Sequence, residues 1–138
     1  MARPGKTVGH VKYLSEAEII AVNEEMVSKY GGLAGVRDLH LLKVAVGRPQ
    51  ISVFFEDAYK SIFDKAAALF HSIINNHPFL DGNKRTSLFS EVLFLDYNGW
   101  YVQFEREEAV RFTMEAHNDK WSVEPISKWL KDHSTKAN

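Results

Sequence analysis

Apolar residues recur at intervals of three and four positions along most of this chain, which is the spacing of an amphipathic α-helix. The strongest pattern lies between Ser61 and Asn75. It forms two adjoining stripes, Ile62, Ala66, Leu69 and Ile73, and beside them Phe63, Ala67, Phe70 and Ile74. Two adjoining stripes indicate a helix buried on most of its circumference, so we place this helix at the centre of the fold. A second core helix is predicted from Lys84 to Asn98, with one apolar line formed by Leu88, Val92 and Leu95.

Helix-start residues predict four further helices. Ser15 and Glu18 form a capping box, in which the serine accepts a hydrogen bond from the backbone three residues on and the glutamate reaches back. Asp38 is an N-cap candidate for the next helix. The four helices are expected over about residues 15–30, 38–47, 105–116 and 122–133, with a short strand over 100–104.

The segment Gln50–Glu56 has a different pattern, because Ile51, Val53, Phe54 and Phe55 favour extended structure. It is either a short hairpin or flap next to the functional site, or a buried connection. Residues 1–14 are expected to form a loose N-terminal arm and residues 134–138 a frayed tail. The prediction is an all-α fold, in which residues 1–138 form a compact single-domain helical bundle of five or six helices with a short flap or strand.

Composition excludes several classes of protein. The formal net charge of −1 argues against broad neutralisation of nucleic-acid phosphates, so no direct nucleic-acid partner is expected. The chain has no cysteine, which rules out disulfides and thiolate zinc sites. No apolar stretch approaches the ~18 residues of a membrane span, and the first residues lack the apolar core of a secretory signal. We therefore expect no membrane partner and a cytoplasmic location.

The two core helices are joined by the segment that we call the polar loop (residues 77–86): His77-Pro78-Phe79-Leu80-Asp81-Gly82-Asn83-Lys84-Arg85-Thr86. A helix that starts between Asp81 and Lys84 would point its unpaired N–H groups back at this loop. Such a helix terminus favours an anion, and two cationic side chains add to the attraction. An anion site beside a histidine and a carboxylate predicts a phosphate-handling centre.

Each residue of the loop also has a purely structural explanation. His77 could equally serve as a helix C-cap or as a histidine of the core. Asp81 or Asn83 could serve as a helix N-cap. Lys84 and Arg85 are explained as solvated first-turn residues, although two cations there oppose the helix dipole unless an anion compensates them. The loop is not a Walker P-loop, since no lysine directly follows its glycine. A zinc site lacks a third nitrogen ligand, and a serine hydrolase lacks its Gly-x-Ser-x-Gly elbow.

The polar loop resembles the signature of the Fic superfamily, His-x-Phe-x-Asp/Glu-Gly/Ala-Asn-x-Arg. It is most similar to the Doc (death-on-curing) toxins of type II toxin–antitoxin modules, whose motif ends in Asn-Lys-Arg-Thr. The resemblance extends from Ser15 to about His133, through Tyr30-Gly31-Gly32, Gly47-Arg48, Leu93-Phe94-Leu95 and Asn98-Gly99. It implies a compact helical bundle, which agrees with the pattern of apolar residues.

The resemblance implies that part of ATP is transferred to a protein hydroxyl. Fic enzymes transfer the adenylyl group, and they have a glycine in place of Lys84 and an arginine in place of Leu88. Doc toxins share the lysine and the leucine, and they are described as kinases that phosphorylate a threonine of elongation factor Tu. This chain keeps Pro78 and Gly82 as the standard Fic loop does, and it has Asn75 where Doc has an arginine.

The resemblance and the chemistry of the side chains together give each residue an expected role. His77 is the general base that takes the proton of an incoming serine or threonine hydroxyl. Asp81 is the metal ligand and holds Mg²⁺ against the phosphates. The ATP phosphates are expected to bind the backbone and side-chain donors of Gly82, Asn83, Lys84 and Arg85.

Three hypotheses for function follow. The first is a toxin-type protein kinase that phosphorylates a translation factor similar to elongation factor Tu and is neutralised by an antitoxin similar to Phd. The second is a Fic-type protein adenylyltransferase. The third is a non-catalytic module that only binds an antitoxin.

Overall fold

The predicted central helix does lie at the centre of the structure. In the computed structural model, which describes residues 2–137, both apolar stripes of this helix are buried, and only Ile62 is partly accessible. The small side chains Ala66, Ala67 and Ala68 are fully inaccessible, so neighbouring helices approach it closely. The helix packs chiefly against the helix that follows the polar loop and against the last helix of the chain.

Residues 2–137 form six α-helices and three short antiparallel strand pairs. The helices are α1 (Glu16–Tyr30), α2 (Leu39–Gly47), α3 (Ile62–Asn76), α4 (Asn83–Tyr97), α5 (Arg106–Asn118) and α6 (Val123–Asp132). The strand pairs are β1 (Thr7–Val8) with β2 (Val11–Lys12), β3 (Ser52–Val53) with β4 (Glu56–Asp57), and β5 (Trp100–Val102) with β6 (Ser134–Lys136). This confirms the all-α bundle. Within the same residues, no helix has the length and apolar character needed to cross a membrane.

The predicted helix starts are confirmed. The hydroxyl of Ser15 accepts a hydrogen bond from the Glu18 N–H at 3.1 Å, and the Glu18 carboxylate accepts from the Ser15 N–H at 3.0 Å. Asp38 caps α2 by accepting from the Leu41 N–H at 3.0 Å. Local sequence was sufficient here because capping depends only on residues three apart.

The two ends of the chain differ from the expected loose arm and frayed tail. The strands β1 and β2 form a hairpin, and the Tyr13 and Leu14 side chains that follow it are buried. Tyr13 packs on Phe94 of α4, with ring centres 6.0 Å apart. At the other end, β6 pairs with β5, so the tail completes a two-stranded sheet. Burial of Tyr13 and Leu14 stabilises the N-terminal end, whereas backbone pairing with β5 holds the C-terminal end. Met1 and Asn138 lie outside the described residues.

Of the two alternatives for the segment Gln50–Glu56, the structure shows the hairpin, β3–β4, and not the buried connection. All four of its large apolar side chains are exposed. Phe54 and Phe55 occupy the turn with φ angles of 51° and 67°, a left-handed conformation that disfavours aromatic residues. The hairpin is held at its base by the buried Lys65 of α3, whose Nζ lies 3.0 Å from Asp57 Oδ2 and 3.4 Å from the Pro49 carbonyl oxygen.

One carboxyl group lies inside the bundle. Glu91 of α4 is fully buried, and neither of its carboxyl oxygens has a hydrogen-bond partner within residues 2–137. Burial raises the pKa of Glu91 well above its usual range, because the interior disfavours the charged carboxylate. Glu91 is therefore a core residue and not a candidate metal ligand.

Candidate active site

His77 ends α3 and starts the polar loop. It takes a left-handed backbone conformation, with φ 49° and ψ 61°, and its N–H donates to the Ile73 carbonyl at 3.1 Å. The side chain of Arg37 then caps the helix, because it donates to the carbonyl oxygens of Asn76 and His77 at 2.8 and 2.7 Å. His77 thus has a capping role through its backbone. Its partly buried imidazole remains available for chemistry.

The loop is held from outside by the segment of residues 32–38, which connects α1 to α2. The Leu33 N–H donates to Asp81 Oδ2 at 2.7 Å, and the Leu80 N–H donates to the Gly35 carbonyl at 3.0 Å. Gly32 allows this approach, since a Cβ there would lie 2.9 Å from the Cβ of Asp81. These contacts tie the loop to a part of the chain about 45 residues earlier.

Asn83 holds the loop from inside. Its Oδ1 accepts from the Phe79 N–H and its Nδ2 donates to the Phe79 carbonyl, each at 3.0 Å. Phe79 itself is 1% exposed, so these bonds anchor the loop to the hydrophobic core. The Asn83 side chain therefore braces the loop, and its expected donor role toward a phosphate stays a prediction. Only its backbone N–H lies at the helix start.

Gly82 shapes the start of α4. It is the N-cap residue and has φ 76° and ψ 17°, a left-handed conformation that glycine adopts without strain. A Cβ at this position would lie 3.3 Å from Asn23 Nδ2 and from Val27 Cγ2. No side chain caps α4, so the first-turn N–H groups are left for an anion.

Lys84 and Arg85 add positive charge to this helix start. Neither forms an ion pair with a carboxylate within 4.0 Å among the ion pairs of residues 2–137. The guanidinium of Arg85 lies 4.1 Å from the centre of the Tyr30 ring, a cation–π contact that fixes its position. The two cations border a recess of about 170 Å³, which is further lined by Leu88, Val110, Thr113 and Met114.

The surroundings of His77 favour its neutral form. Burial lowers the pKa of its imidazole, and the nearby charges of His117, Lys84 and Arg37 lower that pKa further. A hydrogen bond with the backbone of Ile74 acts in the opposite direction. A neutral imidazole at physiological pH is able to accept a proton, which is what a general base requires.

His117 was missed by the sequence analysis. It lies in the last turn of α5, and its ring centre is 5.5 Å from that of His77. The whole of α4 and most of α5 lie between the two residues in the chain, and no local motif surrounds His117. Only the packing of α5 beside the polar loop brings them together.

Asp81 fits the predicted role of a magnesium ligand in part. Its side chain is exposed, and of its two carboxylate oxygens only Oδ2 has a hydrogen-bond partner within residues 2–137. No group of three or more His, Asp or Glu residues in that range is arranged to hold a metal ion. Magnesium is commonly held by one or two carboxylates together with substrate phosphates, so a single exposed aspartate beside an anion site is compatible with it.

Comparison with known proteins shows the family of this chain. A model of the Fic/DOC family matches residues 13–95, which include α1 to α3, the polar loop and most of α4. The chain belongs to the Fic/Doc family. This confirms the resemblance that the polar loop indicated.

Two curated relatives carry the Doc name. "Toxin Doc" of Mycolicibacterium smegmatis is 42% identical over 88 residues, which cover 64% of this chain and 65% of the relative. "Protein kinase doc" of Escherichia phage P1 is 33% identical over 121 residues, which cover 88% of this chain and 94% of the relative. The alignment with the mycobacterial toxin thus spans just under two thirds of that protein.

All six predicted site residues of this Fic/Doc protein lie at one place, the junction of the polar loop with α4: His77, Asp81, Gly82, Asn83, Lys84 and Arg85. Their catalytic and binding roles remain predictions. The structure adds Arg37, Asn23 and His117 to the same junction. Asn23 donates through Nδ2 to the Asp81 carbonyl at 2.8 Å and to Thr86 Oγ1 at 3.1 Å.

Proposed function

We propose that this protein is a toxin-type protein kinase that transfers the terminal phosphoryl group of ATP to a serine or threonine hydroxyl of a translation factor similar to elongation factor Tu. In this proposal it acts in the cytoplasm and is neutralised by an antitoxin similar to Phd. The names of the two relatives, a toxin and a protein kinase, support the proposal. So does the anion site beside a neutral imidazole.

His77 would act as the general base. As the hydroxyl oxygen bonds to the terminal phosphorus, His77 takes the hydroxyl proton, the bond from that phosphorus to the bridging oxygen breaks, and ADP leaves. The low pKa of His77 leaves the imidazole ready to accept that proton. General-base catalysis of this kind contributes about 10²–10⁴-fold to rate.

The start of α4 would hold the phosphates. The uncapped N–H groups after Gly82 and the side chain of Lys84 converge on one helix terminus, where the helix dipole favours negative charge. Asp81 would hold Mg²⁺ there through its exposed carboxylate. Bound magnesium would supply charge neutralisation on the phosphate oxygens.

The observation that carries the choice of kinase is the surroundings of Leu88. This side chain is 7% exposed and lines the recess of about 170 Å³ with Val110 and Met114, so the floor of the recess is apolar. The Fic adenylyltransferases that this chain resembles have an arginine at this position, which pairs with the diphosphate, and leucine cannot provide that contact. Lys84 and Arg85 at the border of the recess remain to bind one terminal phosphoryl group.

The test is the mass of the product. Purified protein is incubated with ATP, Mg²⁺ and elongation factor Tu, and the factor is weighed intact by mass spectrometry. A gain of one phosphate supports the kinase, whereas a gain of one AMP refutes it and establishes the adenylyltransferase. His77→Ala serves as the inactive control. No modification of a target that demonstrably binds would favour the non-catalytic module.

A further inference from the structure

One side of α1 lies against the start of α4. Asn23, Val27 and Tyr30 are on this side, because positions three and four apart share one side of a helix. Asn23 Nδ2 donates to the Asp81 carbonyl at 2.8 Å. A Cβ added at Gly82 would lie 3.3 Å from Val27 Cγ2, so Val27 borders the N-cap of α4. Asn23 and Val27 are both buried, and packing and hydrogen bonding account for their place.

Tyr30 differs from these two residues, because it is 50% exposed and ends α1. The Arg85 guanidinium lies over its ring, with 4.1 Å between Arg85 Cζ and the ring centre. This distance is well within the ~6 Å limit of a cation–π contact. A ring at the surface gains less from burial than one in the core. Its link to the phosphate site is therefore the contact with Arg85.

Arg85 is a cation that nothing else of opposite charge holds in place. Its side chain is exposed, and none of the ion pairs of residues 2–137 joins it to a carboxylate. An arginine side chain has many rotamers, and a phosphate that binds it has to overcome the entropy of ordering them. The Tyr30 ring restricts these rotamers before a ligand arrives. A guanidinium has five N–H donors, so contact with one ring face leaves donors for a phosphate.

We propose that Tyr30 is a positioning residue for ATP binding, which holds the guanidinium of Arg85 where it contacts the phosphates. This inference rests on the proposed function, because it takes the start of α4 to be the ATP phosphate site. Tyr30 acts through Arg85 and does not itself bind the nucleotide.

The test measures the affinity of the purified protein for ATP with Mg²⁺ by isothermal titration calorimetry. Tyr30→Leu removes the ring and keeps an apolar helix-forming residue. Its dissociation constant should rise by about 2–5-fold, the range that corresponds to an exposed cation–π contact. Tyr30→Phe keeps the ring and should retain the affinity of the wild type. Tyr101→Leu is the matched control, because Tyr101 of β5 is 55% exposed, and it should leave the affinity unchanged.

A double-variant cycle separates this role from a purely structural one. Arg85→Gln should itself weaken ATP binding, and Tyr30→Leu should then weaken it no further, because its effect passes through the guanidinium. An unchanged affinity of Tyr30→Leu overturns the inference. So does a full additional loss when Tyr30→Leu is combined with Arg85→Gln. If Tyr30→Leu does not fold, Tyr30→Met is measured in its place.

The proposed kinase is tested separately, because the calorimetry needs no protein substrate. If the ATP affinity depends on Tyr30 and Arg85 as expected, but the protein transfers AMP or nothing to its target, the inference stands and the kinase is refuted. If phosphate is transferred but the ATP affinity does not depend on Tyr30, the kinase stands and the inference is refuted. A wild-type protein that binds no ATP refutes both.

Discussion

The polar loop (residues 77–86) and the hairpin β3–β4 (residues 52–57) differ in how the bundle holds them. The loop is braced from inside by Asn83, from one side by Asn23, and from outside by the segment of residues 32–38. The hairpin has its strand pairing, one backbone bond at its base from the Ala58 N–H to the Ile51 carbonyl, and the contact of Asp57 with Lys65.

The aromatic side chains of the polar loop and of the hairpin also differ in their exposure to solvent. Phe79, at the centre of the loop, is 1% exposed, whereas Phe54 and Phe55 at the tip of the hairpin are 92% and 106% exposed. A fixed loop suits chemistry, which requires the reacting groups to be placed to within fractions of an ångström. An exposed aromatic tip suits recognition of a macromolecule, since aromatic side chains are enriched at protein interfaces.

The prediction with the largest expected effect concerns His77, whose replacement should abolish the chemistry of the polar loop and leave its geometry unchanged. His77→Ala removes the imidazole and keeps the backbone hydrogen bonds that Arg37 makes to the end of α3. Phosphotransfer should fall by about 10²–10⁴-fold, while the melting temperature stays close to that of the wild type. His40→Ala is the matched control and should retain full activity in the same assay. A His77→Ala protein that still arrests growth on expression would contradict the assignment of the base.

The second prediction breaks the anchor of the hairpin. Asp57 is the carboxylate partner of Lys65, whose side chain is 2% exposed, so Asp57→Asn removes the negative charge that compensates a buried ammonium and leaves it with neutral contacts, among them the Pro49 carbonyl and the Tyr13 ring. We expect a loss of about 2–3 kcal/mol in the free energy of unfolding, measured by chemical denaturation. Lys65→Met removes the buried charge and keeps most of the side-chain volume, so it should cost less.

The double variant Lys65→Met/Asp57→Asn sharpens this experiment. Its stability should be close to that of Lys65→Met, because Asp57 lies at the surface and loses nothing further once the ammonium is gone. Amide hydrogen exchange should rise in residues 52–57 of each variant and stay unchanged in the polar loop. An equal rise of amide exchange in the hairpin and in the polar loop would mean that the two regions are not held independently.

The third prediction breaks the inner brace of the loop. Asn83→Ala removes both hydrogen bonds to the Phe79 backbone and should cost about 1–3 kcal/mol in the free energy of unfolding. Activity should fall as well, because the N–H groups at the start of α4 lose their fixed position relative to His77. Asn118→Ala, at the exposed end of α5, is the control. An active, fully stable Asn83→Ala protein would contradict the bracing role.

These two regions also show what sequence alone could provide. The polar loop was predictable because its chemistry is contiguous: a helix stop, a glycine and a helix start within ten residues fix the order of the groups. The helix caps were predictable for the same local reason. Asn23, Arg37 and His117 were not, since they come respectively from α1, from the segment before α2 and from α5, and no pattern in one sequence shows which distant elements will meet.

The role of Asn83 marks the limit of motif reasoning. Its place beside Gly82 in the motif indicated a donor to phosphate, which stays a prediction, and the structure shows a second role, since the amide oxygen and nitrogen both bind Phe79. The residue type suits either role, so sequence could not distinguish them. Likewise, β-propensity predicted an extended segment at residues 50–56 but left open whether it was exposed.

The smallest expected effect on stability concerns the tip of the hairpin. Here the substitution should increase the stability instead of lowering it. Phe54 and Phe55 have positive φ angles and are almost fully exposed, so they gain little by burial. Asn-Gly is the pair that such two-residue turns prefer. The variant Phe54→Asn/Phe55→Gly should therefore be more stable than the wild type, by about 1 kcal/mol, in thermal unfolding.

The same variant should bind a protein partner less tightly if the aromatic tip is a recognition surface. We expect weaker binding of the antitoxin, with the affinity for ATP unchanged, and isothermal titration calorimetry measures both. Phe55→Asp tests the contact by charge, since it keeps Phe54 in place and puts a carboxylate at the tip. A more stable variant with unchanged antitoxin affinity would show that the antitoxin binds elsewhere. Reduced affinity in both variants would place the antitoxin contact on the hairpin, while the polar loop keeps its geometry.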